Sequence, residues 1–297
     1  LKGIMTMFNL VTMPDPANPT NILIEPYADV FITHTSGMNL ATRSIQHDWT
    51  DKVDVSEMKL TPLTDLNKTT IFKFVEDDDD YAFNNYKNSV GGHLYGSKEV
   101  DASTMYGGLQ SVLEGEEEIV AEPFAATVVK PLMDIYTDFI VPALYSYNLE
   151  DGTSEGFDNS PRIMYNNGLK NSTTCTYDIP AQNGVGGETA YQFFLQFSHL
   201  SNIPVGSIDN DFHFGECQLL IGGGTLNNLY NTYWAPYIDE LYNSDTRMMT
   251  LKVNLTPADI NMFKFTDKVF IKNRVFRVNK IDYKPNDLAT VEFILIP

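Results

Sequence analysis

The stretch VFIKNRVFRVNKI, residues 269–281, consists of two strand-like apolar segments on either side of the turn Lys272-Asn273-Arg274. Apolar runs separated by a short polar turn are typical of a β-hairpin. Upstream, Thr250–Leu255 alternates apolar and polar residues, which places its leucine and valine side chains on one face of a strand. Downstream, Thr290–Ile296 predicts a last strand. Four or so strands joined by short turns are typical of a small barrel or sandwich.

The sequence also predicts helices near both ends. Asn227–Tyr242 has large apolar residues at i, i+4 steps, and Pro236 is expected to kink this helix or to begin a second segment. Leu1–Leu10 carries apolar residues at helical spacing. A Pro/Asn-rich turn and the run Ile22–Tyr27 follow, which predicts a helix and then a hairpin.

The middle of the chain has weaker patterns. Met58–Leu60, Thr70–Val75 and the extended run Glu116–Val129 favour strands, and Tyr81–Tyr86 favours one short helical turn. Because Asn-Gly accepts positive φ, Asn166-Asn167-Gly168 predicts a tight turn that joins Ile163–Tyr165 to a returning strand at Thr173–Ile179.

These patterns predict a mainly β fold of the β-rich α+β type. A chain of 297 residues is long enough for two to three domains. We divide it into a helix-plus-hairpin domain (1–47), a β-rich segment that belongs to a barrel or sheet (48–130), a loop-rich inserted β domain (131–226), and a helix followed by barrel strands (227–297).

The formal net charge of −19 argues against a protein that reads nucleic acid, because phosphate binding needs clustered Lys and Arg. An acidic wall could instead let DNA pass without sticking, although solubility or a salty medium explains the charge equally well. Residues 248–297 are net basic, unlike the rest of the chain, because they contain eight Lys/Arg and five Asp/Glu. Facing subunits could therefore pair this basic segment with an acidic neighbouring surface.

The sequence predicts no group of residues that would form a catalytic site, and no cofactor-binding or metal-binding residues are predicted. The acidic runs Glu76–Asp80 and Glu114–Glu118 lack the alternating ligands of a calcium loop and favour solvated loops. Cys175 and Cys217 are too few for a disulfide scaffold. The five histidines lack metal-ligand spacing, including His213 in the run that ends at Cys217, and the three glycines at 222–224 match no phosphate loop.

No run of about 18 apolar residues occurs, so no transmembrane helix and no membrane insertion are expected. The start of the chain lacks the basic residues and cleavage site of a signal peptide. Because the first residue is Leu1 rather than Met, we expect that the chain starts inside a longer polypeptide or after processing.

Several stretches resemble tail-hub proteins of tailed phages. They are YWAPYIDELYN at 233–243, RMMT at 247–250, DKVFI at 267–271, FRVNKIDY at 276–283 and VEF at 291–293. The opening helix and hairpin, DWTDKVD at 48–54, DDDDY at 77–81 and NYK at 85–87 are similar to segments of phage baseplate hubs and of the related type VI secretion spike hubs. Residues 131–226 carry no such motif.

The resemblance implies a tail-tube-like β-barrel with inserted helix-hairpin and loop-rich domains. In that family the hub is a homotrimer in which each subunit carries two barrels, so that three chains present a pseudo-sixfold face to the tail tube. This chain contains one clear barrel end, and the other barrel would precede Leu1. The implied function is that of a structural virion protein without enzymatic activity. It would join the tube to the spike or fibres and line a channel through which genomic DNA passes without specific binding.

The interface of such a hub is expected in the terminal strands and the helix before them. The candidate interface residues are Trp234, Tyr237, Tyr242, Arg247, Lys268, Phe270, Arg274, Phe276 and Arg277. Two other classes stay open. Abundant Tyr and Trp would also suit a carbohydrate-binding tail adhesin. A hydrolase of cell wall or glycan could use a carboxylate pair that is hidden among 39 acidic residues.

Overall fold

Strands dominate the computed structural model of the chain. The residues that it describes are 1–15, 17–18, 20–32, 46–62, 66–106, 113–133, 136–171, 176–179, 189–203, 206–215, 217, 225–243 and 245–295. Within these ranges, no helix is long and apolar enough to cross a membrane. The predicted mainly β class is confirmed.

The helices are short. They are α1 (Lys2–Met7), α2 (Tyr81–Ser89), α3 (Ala102–Met105), α4 (Ala235–Tyr242) and α5 (Pro257–Met262), with π-helical segments at Ala28–Ile32 and Tyr230–Trp234. Pro236 lies in the first turn of α4, where backbone N–H groups make no hydrogen bond within the helix, so the missing N–H of proline costs nothing there. The predicted second helical segment at this proline is therefore confirmed. Helix α2 is longer than the predicted single turn because the Asp80 side chain caps it by accepting from the N–H groups of Ala82 and Phe83.

The strands follow in chain order. They are β1 (Leu10–Pro14), β2 (Ile22–Pro26), β3 (Gln46–Asp48), β4 (Val53–Pro62), β5 (Thr69–Val75), β6 (Lys98–Asp101), β7 (Glu116–Ala125), β8 (Val129–Met133), β9 (Tyr136–Pro142), β10 (Ser146–Asn148), β11 (Thr153–Glu155), β12 (Tyr165–Asn171), β13 (Tyr177–Ile179), β14 (Thr189–Tyr191), β15 (Phe193–Ser198), β16 (Arg247–Val253), β17 (Lys268–Ile271), β18 (Arg274–Asp282) and β19 (Ala289–Leu295). The hairpin β1–β2 follows α1, as predicted.

A six-stranded sheet of order β3-β17-β18-β19-β16-β4 organises the C-terminal strands. All neighbours are antiparallel except β3 and β17, which are parallel. Lys272 and Asn273 both have positive φ in the turn between β17 and β18, which is the geometry of a two-residue hairpin loop. The predicted hairpin, the alternating strand and the last strand are confirmed. No closed barrel is formed by the described strands, since β3 and β4 remain the edges.

One face of this sheet carries the apolar core. Its buried members are Trp49, Met249, Leu251, Val253, Leu255, Val269, Ile271, Phe276, Val278, Ala289, Val291 and Phe293. Phe293 packs against Trp49 and Phe276, with ring centroids 6.1 and 5.8 Å apart. Alternation along β16, β17 and β19 supplies most of these residues, so the periodicity of the sequence places the core.

The chain divides into two compact units. Unit 1 comprises Leu1–Gly3, Phe72–Lys98 and Ile119–Asn231, and unit 2 comprises Ile4–Ile71, Glu99–Glu118 and Thr232–Pro297. Unit 2 contains the six-stranded sheet, and unit 1 contains the two-stranded ribbons β8-β9, β10-β11, β12-β15 and β13-β14. The four consecutive segments expected from the sequence stay a prediction.

The hairpin predicted at Asn166-Asn167-Gly168 is wrong. These residues lie inside β12, which pairs with β15, and the register shifts between Asn166 and Gly168. The described end of the expected returning strand, Tyr177–Ile179, pairs with β14 instead, and residues 173–175 lie outside the described part of the chain. Gly168 has φ of 75°, so its conformational freedom serves a β-bulge in a continuous strand. An Asn-Gly pair is compatible with both a turn and a β-bulge. Which of the two forms depends on the strand that pairs with this segment, and that strand is distant in the sequence.

Candidate functional site

Strand β4 is an exposed edge of the six-stranded sheet. It is ten residues long and pairs with β16 on one side. Val55, Met58 and Leu60 are 48%, 54% and 55% exposed. Soluble proteins usually shorten, charge or cover such an edge, because its backbone groups can pair with another strand. The exposed charges of Glu57 and Lys59 alternate with these apolar residues, but the length of the strand and its exposed apolar side chains make it a candidate binding surface.

A cavity of about 850 Å³ lies at one end of the same sheet and receives residues from all six strands. Its lining is Gln46, Leu60, Asp245, Arg247, Lys268, Asn273, Arg274, Val275 and Leu295. Gln46 belongs to one edge strand and Leu60 to the other, so the sheet curves until both edges border the same space. Alternation puts Arg247 and Leu295 on the face that carries Met249 and Phe293, whereas Lys268 alternates with the buried Val269 and Ile271 and lies on the opposite face. The cavity therefore takes its lining from both faces at the end of the sheet.

The cavity is basic although the chain is strongly acidic. Arg247, Lys268 and Arg274 line it together with a single acidic residue, Asp245. The local charge of the cavity is therefore opposite in sign to the net charge of −19 of the whole chain.

A hydrogen bond between His47 and the buried Asp267 fixes the edge strand β3. The Nε2 atom of His47 lies 2.9 Å from a carboxylate oxygen of Asp267, whose side chain is almost fully buried. Asp267 also accepts the backbone N–H of Lys264 at 3.0 Å. The backbone N–H of Trp49 donates to the Phe270 carbonyl at 3.0 Å, so the end of β3 is held against β17 at two points.

The predicted interface residues separate into three groups. Arg247, Lys268 and Arg274 surround the cavity, while Tyr237 and Phe270 are half-buried. The other four are buried in the chain itself: Trp234, Tyr242, Phe276 and Arg277. As interface residues, all nine stay predictions.

The internal contacts of the buried group are specific. Trp234 donates its indole N–H to the carbonyl of Thr6 at 3.0 Å. Tyr242 donates its hydroxyl to the carbonyl of Asn67 at 2.6 Å. Phe276 belongs to the core of the six-stranded sheet. Each of these three residues therefore has a structural contact inside the chain.

The acidic run Glu76–Asp80 is partly neutralised inside the chain. Arg162 lies 2.9 Å from Asp77 and 3.0 Å from Asp80, and all three side chains are buried. Burial raises the pKa of Asp80, whereas its hydrogen bonds to backbone N–H groups and the charge of Arg162 lower it. The expectation of a wholly solvated loop is therefore wrong for these two aspartates, because a distant arginine pairs with them.

Sequence reasoning missed two features. The apolar residues of β4 predict a strand, but their exposure depends on the neighbours that the fold supplies. His199, His213 and Cys217, which look isolated in the sequence, are brought together in unit 1. The sequence feature that could have indicated this group is the four-residue separation of His213 and Cys217. The run of glycines at 222–224, His34 and Cys175 lie outside the described residues.

Neither a known protein family nor a curated protein matches this chain.

Proposed function

We propose that the chain is a structural subunit of a bacteriophage tail, a tail hub or baseplate hub that assembles with copies of itself around an axial channel. Its place would be in the virion, between the tail tube and the distal spike or fibres, with no enzymatic activity of its own. The observation that carries this proposal is the ten-residue edge strand β4, on which the apolar side chains of Val55, Met58 and Leu60 are exposed.

The partner of β4 in this proposal is the β3 edge of a neighbouring copy. A ring requires that two different surfaces of the chain meet, whereas a surface that pairs with itself gives only a dimer. β3 and β4 are the two edges of one sheet. The β4 strand of each copy would therefore pair with β3 of one neighbour, and its β3 strand would pair with β4 of the other neighbour. Such pairing would remove Val55, Met58 and Leu60 from water and would complete a wall of the tail-tube type.

Charge supports the same arrangement. Glu116, Glu117 and Glu118 are exposed at the start of β7, and the basic cavity carries Arg247 and Lys268. An acidic strand of one copy that faces the basic cavity of the next would set the register of the ring, although exposed ion pairs contribute little energy each. The remaining negative charge suits a channel that DNA passes without binding.

Electron microscopy of the purified chain tests the proposal. Particles with threefold or sixfold symmetry and an open axis are expected, since the resembled hubs are trimers with a pseudo-sixfold face. Single small particles without symmetry at high protein concentration would overturn the proposal.

A glycan array separates this proposal from the carbohydrate-binding adhesin. A hub subunit is expected to bind no glycan selectively. Strong and selective binding of one glycan class by the isolated chain would favour the adhesin.

A further inference from the structure

Three side chains that commonly bind metals lie together in the interior of unit 1. His199, His213 and Cys217 are 0%, 2% and 5% exposed. One ligand atom from each residue lies within 4.8 Å of the other two. In the described part of the chain, this is the one such group of three His, Cys, Asp or Glu residues. Burial excludes the ordinary explanation of surface histidines that meet by chance.

The orientation of His199 is fixed by a carboxylate. Its Nδ1 atom lies 2.7 Å from Oδ1 of Asp211, and the same oxygen accepts the backbone N–H of His213 at 2.9 Å. Because a carboxylate accepts, the proton of the neutral imidazole resides on Nδ1 and the lone pair on Nε2 points the other way. Metal-binding histidines are typically held by such a carboxylate behind the ring.

His213 and Cys217 have the spacing of a metal-ligand pair. The Nδ1 atom of His213 lies 3.5 Å from the Sγ atom of Cys217. Zinc bonds of about 2.3 Å to sulfur and about 2.0–2.1 Å to nitrogen, at a tetrahedral angle, place these two atoms roughly 3.6 Å apart. The N–H of Thr127 approaches Nε2 of His213 at 3.4 Å, and this long contact would be given up when Nδ1 binds a metal.

Tyr95 completes the cluster. Its hydroxyl donates to Nε2 of His199 at 3.1 Å and interacts with the Cys217 thiol. The phenol oxygen therefore borders the space toward which the other ligand atoms point. The alternative to a metal site is a buried polar cluster in which Tyr95 and the two imidazoles only hydrogen-bond to one another. Such a cluster would require neither the thiol of Cys217 nor the carboxylate of Asp211 beside His199.

The backbone around the cluster leaves no spare room. Gly96 has φ of +76°, and a Cβ at this position would lie 2.7 Å from Cγ of His213. The imidazole rings of His199 and His213 stack with centroids 3.8 Å apart and an interplanar angle of 17°. Because the lone pairs of nearly parallel rings do not converge on one point, one ring must turn out of the stack when both nitrogens bind the same ion.

We propose that this cluster binds one transition-metal ion of borderline softness, with Zn²⁺ as the expected metal. The ligands are Nε2 of His199, which gives up its hydrogen bond from the Tyr95 hydroxyl, Nδ1 of His213 and Sγ of Cys217, and the fourth position lies beside that hydroxyl. Two imidazoles and one thiolate suit zinc better than calcium or magnesium, which prefer oxygen ligands. The role is structural, because the site is closed to solvent. This inference is independent of the proposed function.

Metal analysis of the full chain without a histidine tag tests the proposal. Protein from zinc-supplemented cultures is expected to carry one zinc per chain, and Cys217→Ser and His199→Ala are expected to lose it. His93→Ala is the matched control, since His93 is hydrogen-bonded to Tyr86 and lies outside the cluster. A wild-type chain with no zinc above the level of a metal-free protein would overturn the proposal.

Cobalt substitution keeps the test decisive if the variants fail to fold. Wild-type protein titrated with Co²⁺ is expected to show a thiolate-to-cobalt charge-transfer band and the visible absorption of a tetrahedral site, at one equivalent. Absence of both signals, with the chain folded by circular dichroism, would contradict the assignment of Cys217 as a ligand.

Discussion

Arg277 on β18 and Glu240 on helix α4 form a buried two-point ion pair. One guanidinium nitrogen of Arg277 lies 3.1 Å from Oε2 of Glu240, the other nitrogen donates to Oε1, and the side chains are 8% and 10% exposed. The guanidinium also lies over the rings of Tyr27 and Phe31, 5.4 and 5.1 Å from their centroids. Arg277 therefore ties the sheet to the helix before it and to the N-terminal π-helical segment.

Removing one member of this pair should destabilise unit 2 strongly. Arg277→Met is expected to lower the free energy of unfolding by about 3–5 kcal/mol, because Glu240 is left as an uncompensated buried charge. The double variant Arg277→Met with Glu240→Leu should recover most of this loss, since no buried charge remains. Urea unfolding followed by fluorescence measures both. Equal or additive losses in the double variant would contradict the interpretation.

Phe293 is the central residue of the sheet core. Phe293→Ala is expected to lower the free energy of unfolding by about 3–5 kcal/mol, because the ring is 0% exposed and its removal leaves a cavity between Trp49 and Phe276. Phe265, which is 53% exposed, supplies the control. Phe265→Ala should stay within about 0.5 kcal/mol of the wild type. If chemical denaturation shows a similar loss of unfolding free energy for both variants, Phe293 is not a core residue.

Two glycines with positive φ differ in the space around them. A Cβ at Gly96 would meet the His213 ring, whereas a Cβ at Gly91 would meet nothing within 4 Å. Both alanine variants lose the freedom of glycine at positive φ, which costs about 1–2 kcal/mol. Gly96→Ala should lose about 1–3 kcal/mol more, because the ring must move. Thermal unfolding of the two variants compares them, and equal midpoints would argue that the histidine cluster is loosely packed.

Asp259 contributes stability that depends on pH. Burial alone raises its pKa, but hydrogen bonds from Lys52 and Thr256 and the Lys52 charge outweigh burial and lower the pKa from 3.8 to about 2. The carboxylate forms a capping box with Thr256 at the start of α5. Since the folded pKa is below the unfolded value, this stability is full above pH 3.8 and is lost as the pH falls through about 2.

Asp259→Asn should therefore be less stable than the wild type at neutral pH, and the difference should shrink as the pH falls through this window. Urea midpoints between pH 2 and pH 7 measure the difference, with Asp287→Asn as an exposed control. A difference between Asp259→Asn and wild type that does not change with pH would exclude the ionised carboxylate as its cause.

The sequence predicts local strands well and their distant partners poorly. Alternation and a short polar turn suffice for β17, β18 and β19, because consecutive antiparallel strands need only nearby residues. Alternation alone indicates β16 as a strand, but its partners are β19 and β4. The pairing of β4 with β16 joins Leu60 to Met249, and no local pattern indicates such a partner. The parallel pairing of β3 with β17 is equally distant.

The candidate site was predictable to a similar extent. Arg247, Lys268 and Arg274 attract attention as basic residues in an acidic chain, and they do line one cavity. Trp234 and Phe276 attract attention as large aromatic residues, but burial in the chain explains them as well as an interface would. Exposure of an apolar strand such as β4 follows from which neighbours are absent, and the sequence does not carry that information.

Self-association through the β4 edge is the most direct consequence of the proposed function, and light scattering of edge variants measures it. The wild type and Ile208→Lys, which changes an exposed apolar residue outside the sheet, should have the mass of a closed oligomer, with three copies expected. Met58→Lys with Leu60→Lys should have the mass of one chain, because two charges on the edge oppose strand pairing. A wild-type monomer at the highest attainable concentration, or a double variant with the mass of the wild-type oligomer, would contradict the account.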